Sequence, residues 1–241
     1  MAPHLATSPF PSPSRSLADP SQPAARFFHT QPWFGSLAAE FQQRILDHVT
    51  TQQGSKGEVL LHAGGEVKGW HAVLSGLVTL QSQSAQGRRQ GFLGISAGQW
   101  FGEGSVMKKE PRRYDAIALR DTELLCLPRA LFEELRATSL PFNQYLADHL
   151  NMRLGQALTI IETMRLRTPE QRVAMYLGPR LWRGSRKLGL SQEELGVMAG
   201  LSRQTVNRVL NDLERRNLVA LEFGRIAIRD EAGLADLVRD R

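Results

Sequence analysis

The sequence has little cysteine, since Cys126 is the only one in 241 residues. One cysteine excludes an internal disulfide, a structural zinc site built mainly from thiolates, and a four-cysteine iron–sulfur cluster held within one chain. Long apolar runs are also lacking, because none approaches the roughly 18 residues that a membrane span needs. The first residues form no apolar block of the kind found in secretory signals. We therefore expect a cytoplasmic protein that has no membrane partner.

Catalytic motifs are absent as well. The sequence contains no nucleophile elbow, no Walker loop, no pair of acid and base carboxylates in a pocket-like context and no His-rich metal spacing. We predict that the protein is not an enzyme and holds no metal. Lys and Arg outnumber Asp and Glu by 30 to 24. That balance suits an anionic partner but is too mild to name one.

The composition changes along the chain and divides it into four parts. Residues 1–30 hold half of the twelve prolines, mixed with Ser and Ala, and are expected to form a disordered tail. Residues 31–137 are the first folded domain. It opens with a short helix, for which Ser36 is the expected N-cap, and continues with glycine-separated runs such as "HAVLSGLVTLQ" and "YDAIALRDTELLCLP". Short β-type runs between glycine turns predict an antiparallel barrel or roll.

Residues 138–167 form the third part, a long helix. Its apolar residues are spaced alternately by three and four, which is the rhythm of a coiled-coil seam. A helix lying on its own roll would give a similar pattern. At about 35 Å the helix is longer than a small roll needs, so we interpret it as a dimerisation helix. The expected dimer interface is Leu150, Leu154, Ala157, Ile161 and Met164.

Residues 168–241 carry a helix-turn-helix pattern. Ser191 and Glu194 form a capping-box signature, Gly200 ends that helix, and Ser202 can cap a second helix that begins at Arg203. Two capped helices separated by a short turn with glycine are typical of a helix-turn-helix. The segment "LVALEFGRIAI" then predicts a β-hairpin wing. Within that wing Arg225 either contacts phosphate or is a solvated charge.

The second helix has two faces. Val206, Val209, Leu210 and Leu213 fall on one side, and polar residues cluster on the other. Arg can bond guanine in a bidentate manner, and Gln or Asn can bond adenine in the same way. The candidate DNA-binding residues are Ser202, Arg203, Gln204, Thr205, Asn207 and Arg208.

The order of roll, heptad helix and winged helix-turn-helix resembles the Crp/Fnr family of regulators over roughly residues 33–235. The most specific portion is "LSQEELGVMAGLSRQTVNRVLNDLERRNLV" followed by "FGRIAI". The resemblance implies an α+β fold with an N-terminal antiparallel β-roll (a cyclic-nucleotide-binding-like jelly roll), a central dimerisation helix and a C-terminal winged helix-turn-helix. It also implies a homodimeric transcription regulator. Its expected partners are double-stranded DNA with a palindromic operator, a second copy of the chain and RNA polymerase. The family commonly has Glu at the position of Gln204, so the preferred half-site is expected to differ.

The stretch "FGEGSVMKKEPRRYD" resembles the phosphate-binding cassette of that family, which makes Gly102, Glu103, Arg113 and Tyr114 candidate ligand-binding residues. Two departures argue against cyclic AMP. Tyr114 and Asp115 stand where the family has a small hydroxyl residue followed by Ala. The purine-contacting hydroxyls of the family would fall near Ala157 and Leu158, which are apolar. We interpret the cassette as degenerate and expect Glu103 and Arg113 to form an internal ion pair.

No cofactor is assigned from the sequence. Cyclic nucleotide stays open, and so does haem, for which His62, His71 or Cys126 would be the axial ligand. An alternative function also stays open: a cyclic-nucleotide- or haem-responsive signalling module whose C-terminal domain contacts protein.

Overall fold

The computed structural model describes residues 23–83, 89–163, 168–178, 187–222 and 225–239. The first domain contains two four-stranded antiparallel sheets, with strand orders β1-β8-β3-β6 and β2-β7-β4-β5. Their strands are β1 (Thr50–Gly54), β2 (Val59–Leu61), β3 (Gly69–Ser75), β4 (Leu77–Gln83), β5 (Arg89–Ser96), β6 (Trp100–Phe101), β7 (Asp115–Ala118) and β8 (Thr122–Pro128). The predicted antiparallel roll is confirmed.

The sheet that contains β3 and β8 packs on both faces. Trp70, Leu125 and Leu127 belong to a large cluster formed with the surrounding helices. Val73 and Leu124 belong instead to the smaller core between the two sheets. Because side chains alternate along a strand, His71 and Cys126, each two residues from one of these inner positions, also face the interior of the roll. The two are register partners across β3 and β8.

The expected tail extends less far than predicted. Residues Pro23–His29 form helix α1 and bury Ala24, Ala25, Phe27 and Phe28. The ring centroid of Phe27 lies 5.2 Å from that of Trp100, in an edge-to-face arrangement. The prediction of disorder is therefore wrong for residues 23–30, because two aromatic side chains at the end of the Pro-rich stretch supply the apolar surface that the rest of it lacks. Residues 1–22 lie outside the described residues.

The expected cap at Ser36 is also wrong. Ser36 ends a 3₁₀ turn, Phe34–Ser36, and its hydroxyl donates a hydrogen bond to the carbonyl of Trp33 at 2.7 Å. Helix α2, Ala39–His48, begins after Ala38 with no side-chain cap. The short hydroxyl side chain of Ser36 thus satisfies the turn that precedes the helix.

Three further helices follow in the first domain, and the last of them extends beyond the roll. Helix α3 (Glu103–Lys108) lies between β6 and β7, and α4 (Arg129–Thr138) leads into the long helix α5 (Leu140–Thr163). Phe142, Leu146 and His149 of α5 are buried against the roll, whereas Leu154, Leu158 and Ile161 further along are exposed. The predicted long helix is confirmed to Thr163, and Met164 lies outside the described residues.

The second domain has helices α6 (Pro169–Leu177), α7 (Gln192–Ala199), α8 (Arg203–Arg215) and α9 (Glu231–Val238), and strands β9 (Lys187–Leu188), β10 (Val219–Glu222) and β11 (Arg225–Ile228). Strands β10 and β11 pair antiparallel, with Glu222 opposite Arg225, and β9 joins β11. The predicted wing strands are confirmed, and the turn at 223–224 lies outside the described residues. No helix of the described residues is long and apolar enough to span a membrane.

The two domains touch through both apolar and charged groups. Leu77 and Leu119 of the roll belong to the hydrophobic core of the second domain. The Arg120 guanidinium holds the Glu194 carboxylate with two hydrogen bonds of 2.8 and 2.7 Å, from Nε to Oε1 and from Nη2 to Oε2. Lys56 pairs with Glu193 at 2.8 Å nearby. The start of α7 is thus attached to the roll.

Candidate nucleic-acid interface and sensor site

Two glycines set the angle between α7 and α8. A Cβ added to Gly196 would lie 2.7 Å from the carbonyl oxygen of Leu201 and 3.6 Å from Cγ2 of Val206. The connection therefore crosses α7 at a distance that only glycine permits. Gly200 ends α7 in the left-handed conformation, with φ at 65°, which glycine adopts at no steric cost.

Side-chain caps define where the two helices begin. The Ser191 hydroxyl accepts from the backbone N–H of Glu194, and the Glu194 carboxylate accepts from that of Ser191, so the predicted capping box is confirmed. The Ser202 hydroxyl accepts from the backbone N–H of Thr205 at 3.2 Å and starts α8 as predicted. These contacts are local in sequence, which explains why the sequence signalled them.

The polar face of α8 points away from the core. Val206, Val209, Leu210 and Leu213 are buried on the inner side. Arg203, Gln204 and Arg208 are exposed, and within the described parts of the chain their side chains have no hydrogen-bond or ion-pair partner. Two cations and one amide therefore stand free on the first turns of an exposed helix.

The other candidate residues of this face make contacts within the protein. Ser202 and Thr205 share a hydroxyl–hydroxyl hydrogen bond of 2.9 Å at the start of α8. The Asn207 amide donates to Oε1 of Gln192 at 3.0 Å, which ties α8 to the first residue of α7. These residues stabilise the geometry of the helix pair.

The C-terminal turn of α8 is held by ion pairs. Arg215 pairs with Asp212 at 3.0 Å, and Arg216 pairs with Glu170 of α6. Arg225, the first described residue after the wing turn, is exposed. Its contact with phosphate stays a prediction.

The sensor candidates occupy different places from those expected. The side chain of Glu103 is mostly buried, and its Oε2 lies 3.3 Å from Nε2 of His149 on α5. Burial opposes ionisation of Glu103, but the His149 interaction and the charge of Arg153 outweigh it and lower the pKa of the carboxyl. Arg153 also donates to the carbonyl of Trp100 and to Oε1 of Gln156. Glu103 is therefore held by the long helix.

The expected ion pair between Glu103 and Arg113 is wrong. Arg113 is exposed and lies 3.4 Å from Glu110, three residues before it. Tyr114 is 39% exposed at the mouth of a small cavity. Asp115 accepts a hydrogen bond of 2.7 Å from the backbone N–H of Ala63. Its carboxylate thus closes a loop of the roll, which gives this residue a structural explanation.

The guanidinium that does enter the roll belongs to Arg112, which the sequence did not single out. Its residue is 9% exposed, and a Cβ on Gly102 would lie 3.8 Å from its Nη1. Its charge also reaches His71 and Cys126. The sequence does not indicate which of the adjacent residues Arg112 and Arg113 points into the roll, because the conformation of the loop after α3 determines it.

The exposed stripe of α5 begins later than expected. Leu150 packs partly against the aromatic cluster of its own roll. Leu154, Leu158 and Ile161 are 58%, 52% and 54% exposed, with Ala157 exposed beside them. Leu150 therefore lies at the edge of the expected interface, because its side chain already packs against apolar residues of its own chain. Leu158 joins the stripe instead.

Comparison with known proteins agrees with this architecture. The sequence profile of the cyclic nucleotide-binding domain matches residues 51–139, and that of the Crp-like helix-turn-helix domain matches residues 171–237. The cyclic AMP receptor protein of Thermus thermophilus is 30% identical over 208 residues, which cover 86% of this chain and 96% of that protein. The chain belongs to the Crp/Fnr family of transcriptional regulators. It is accordingly a DNA-binding regulator and not an enzyme.

Other proteins are similar to this chain as well. The transcriptional regulator SdrP of the same organism is 29% identical, over 77% of this chain and 92% of that protein. The structure of FixK2 from Bradyrhizobium japonicum superposes with a TM-score of 0.67 at 22% identity and covers 80% of this chain and 98% of that one. A CooA mutant from Carboxydothermus hydrogenoformans gives a TM-score of 0.63 at 22% identity, over 79% and 88% of the two chains. These two structures support the fold.

Proposed function

We propose that this Crp/Fnr regulator reads a two-fold symmetric DNA site as a homodimer, with α8 of each subunit in the major groove. The observation that carries the proposal is the free polar edge of α8, where Arg203, Gln204 and Arg208 are exposed and lack partners among the described residues. The N-terminal residues of a recognition helix are those that reach base edges. Two helices of a dimer reach half-sites about one helical turn apart.

The test is a comparison of Arg203→Ala with a matched control, Arg26→Ala, which removes another exposed arginine, from α1. The preferred duplex is first selected from random sequences with the unmodified protein. We expect Arg203→Ala to reduce the ratio of specific to non-specific affinity by about 10- to 100-fold, since one bidentate base contact contributes about 1–3 kcal/mol. Arg26→Ala should leave that ratio unchanged. Unaltered discrimination by Arg203→Ala protein would show that another surface reads the bases.

Salt dependence separates DNA binding from the alternative in which the C-terminal domain contacts protein. Affinity for DNA falls steeply with added salt because cations on the protein displace condensed counterions. Binding that barely changes between low and physiological salt would favour a protein partner. Contact with RNA polymerase stays a prediction.

Dimerisation is proposed from the exposed stripe of α5. Three large apolar side chains on adjacent turns, each more than half exposed, are the arrangement that a second copy covers in a coiled coil. We expect Leu158→Lys to convert the dimer into a monomer in sedimentation experiments, with Ala137→Lys on the exposed side of α4 as the control. If the Leu158→Lys protein is still a dimer, the interface lies on another surface.

The roll is proposed to sense a ligand other than cyclic AMP. Although relatives are named for cyclic AMP, the residues that would bind it are engaged elsewhere. Glu103 contacts His149, Arg113 contacts Glu110, and Asp115 contacts the backbone of Ala63. We expect calorimetry with cyclic AMP and cyclic GMP to give no binding heat. Haem is tested in the same preparation by an absorption scan, where an absence of a Soret band is expected.

A further inference from the structure

The roll contains a buried cation, Arg112, for which the described residues provide no counterion. Arg112 is 9% exposed, and the structure gives its guanidinium no carboxylate or hydrogen-bond partner within the described residues. Its backbone is fixed, because its N–H donates to the carbonyl of Gly65 at 3.3 Å and its carbonyl accepts from Gly64 at 2.8 Å. Burial lowers the pKa of Arg112, yet a guanidinium in a protein stays charged. An isolated buried charge is unfavourable unless it is paired.

The groups near Arg112 do not supply a negative charge. Burial lowers the pKa of His71 to about 3, and the charge of Arg112 acts in the same direction, so the imidazole is neutral. Burial raises the pKa of the Cys126 thiol to about 11, although the charge of Arg112 acts in the opposite direction. Nδ1 of His71 is buried and has no hydrogen-bond partner in the described part of the chain. His71 and Cys126, the two titratable side chains that the charge of Arg112 reaches, therefore supply no anion to balance it.

A small cavity opens beside the guanidinium. Leu61, Leu80 and Phe101 line its apolar side, while Ser105, Arg112, Arg113 and Tyr114 provide polar groups. The cavity has a volume of about 30 Å³. Since one water needs roughly 10–15 Å³ by this measure, the cavity has room for about two or three water-sized groups. That is enough for a planar anion of three or four heavy atoms.

We propose that Arg112 anchors a site for a small planar monoanion, a carboxylate or oxyanion of the size of formate or nitrate, inside the roll. The inference deepens the proposed function by naming the ligand class of the sensor. The guanidinium presents paired N–H donors at the spacing of two oxygens of such an anion. Ser105 lines the same cavity and offers a hydroxyl. Arg113, the arginine at the cassette spacing, also lines the cavity, but its side chain is exposed and pairs with Glu110. The anchor is therefore assigned to the buried Arg112.

The experiment measures the melting temperature of the full-length protein, without DNA, in sodium formate and in sodium nitrate. Sodium gluconate, whose anion is too large for the cavity, keeps the ionic strength constant. We expect Tm to rise saturably with formate or nitrate, because a ligand that binds only the folded state stabilises it. Arg112→Met should weaken the apparent affinity by at least about tenfold, since hydrogen bonds to charged groups are the strong ones. Arg113→Met, the matched control, should respond like the unmodified protein.

A second readout separates a binding role from a structural one. In gluconate alone, Arg112→Met should be at least as stable as the unmodified protein, because the change removes a buried charge without breaking an ion pair. A strongly destabilised Arg112→Met protein would mean that the arginine supports the fold instead. Should that variant fail to fold, Ala116→Val keeps the charge but fills the cavity, and we expect it to abolish the response.

Three outcomes would overturn the proposal. The first is no saturable rise of Tm in formate or nitrate, and the second is an equal response of the Arg112→Met and Arg113→Met variants. The third is a rise produced by cyclic AMP and by neither small anion. Because the assay contains no DNA, its result is independent of whether α8 reads a duplex.

Discussion

The two domains of this regulator treat their charged residues in opposite ways. In the DNA-binding domain Arg203 and Arg208 stand in solvent along α8, where an unpaired cation is hydrated at little cost. In the roll Glu103 and His149 are buried against each other, and Arg112 is buried with no counterion among the described residues. The solvated cations suit a long polyanion that is bound at the surface. The buried cation requires a counterion that fits inside.

The largest expected effect concerns the packing of α7 against the turn before α8. Gly196→Val would place Cβ 2.7 Å from a backbone oxygen that cannot move aside. We expect a loss of about 2–3 kcal/mol in the unfolding free energy of the DNA-binding domain. Gly104→Ala, at a position with nothing within 4 Å, is the control and should not destabilise. Both variants are made in a Trp182→Phe background, where the remaining tryptophans, Trp33, Trp70 and Trp100, all lie in the first domain. Urea denaturation is followed by circular dichroism and by tryptophan fluorescence.

If Gly196→Val shifts the urea transition followed by circular dichroism but not the one followed by fluorescence, the two domains unfold separately. An equal shift of both signals would break the comparison, since it would mean that the domains unfold together.

A smaller effect is expected where the domains meet. Arg120→Ala leaves the side chain of Glu194, which is 7% exposed, without its guanidinium. Arg120 itself is 39% exposed, so solvent weakens the pair, and we expect a loss of about 1–2 kcal/mol. Because Glu194 also caps α7, a double-mutant cycle with Glu194→Gln isolates the pair. Strict additivity of the two substitutions in urea denaturation would show that the contact contributes nothing.

The pH dependence of stability tests the buried pair of the roll. Since the folded protein lowers the pKa of Glu103 below its ordinary value of 4.5, the contribution is present above that pH and is lost as the pH falls through the folded pKa. We expect the Tm of the unmodified protein to decrease more steeply below about pH 4.5 than that of Glu103→Gln. Parallel curves from pH 6 to pH 3 would show that the contact of the Glu103 carboxylate with His149 does not stabilise the fold.

The smallest effect is expected for the exposed pair at the same domain junction. Lys56 and Glu193 are 2.8 Å apart, but both side chains are more than half exposed. We expect Lys56→Ala to change the unfolding free energy by no more than about 0.5 kcal/mol. A loss equal to that of Arg120→Ala in the same urea experiment would show that burial does not set the strength of these contacts.

The DNA-binding domain could be predicted from the sequence because its signals are local. The capping box of Ser191 and Glu194, the stop at Gly200 and the apolar face of α8 all involve residues a few positions apart. The predictions at the N-terminus were wrong because the contacts there join residues that are far apart in the sequence. The burial of Phe27 and Phe28 depends on Trp33 and Trp100, and no local rule connects the Pro-rich stretch with a strand some seventy residues later.

The sensor site was harder to predict for the same reason. Spacing within the cassette singled out Arg113, but the orientation of a side chain in the loop after α3 is set by contacts of its neighbour with Gly64 and Gly65. The partner of Glu103 comes from α5, forty-six residues further along the chain. Such contacts are visible only once the strands are paired.

One carboxylate belongs to both domains at once. Glu194 closes the first turn of α7 and also receives the guanidinium of Arg120 from the roll. A rigid displacement of the roll therefore cannot leave α7 in place while keeping every hydrogen bond of Glu194. Either the helix travels with the roll, which re-aims α8, or the bonds to Arg120 break together, so the orientation of the reading helix is expected to change in discrete steps.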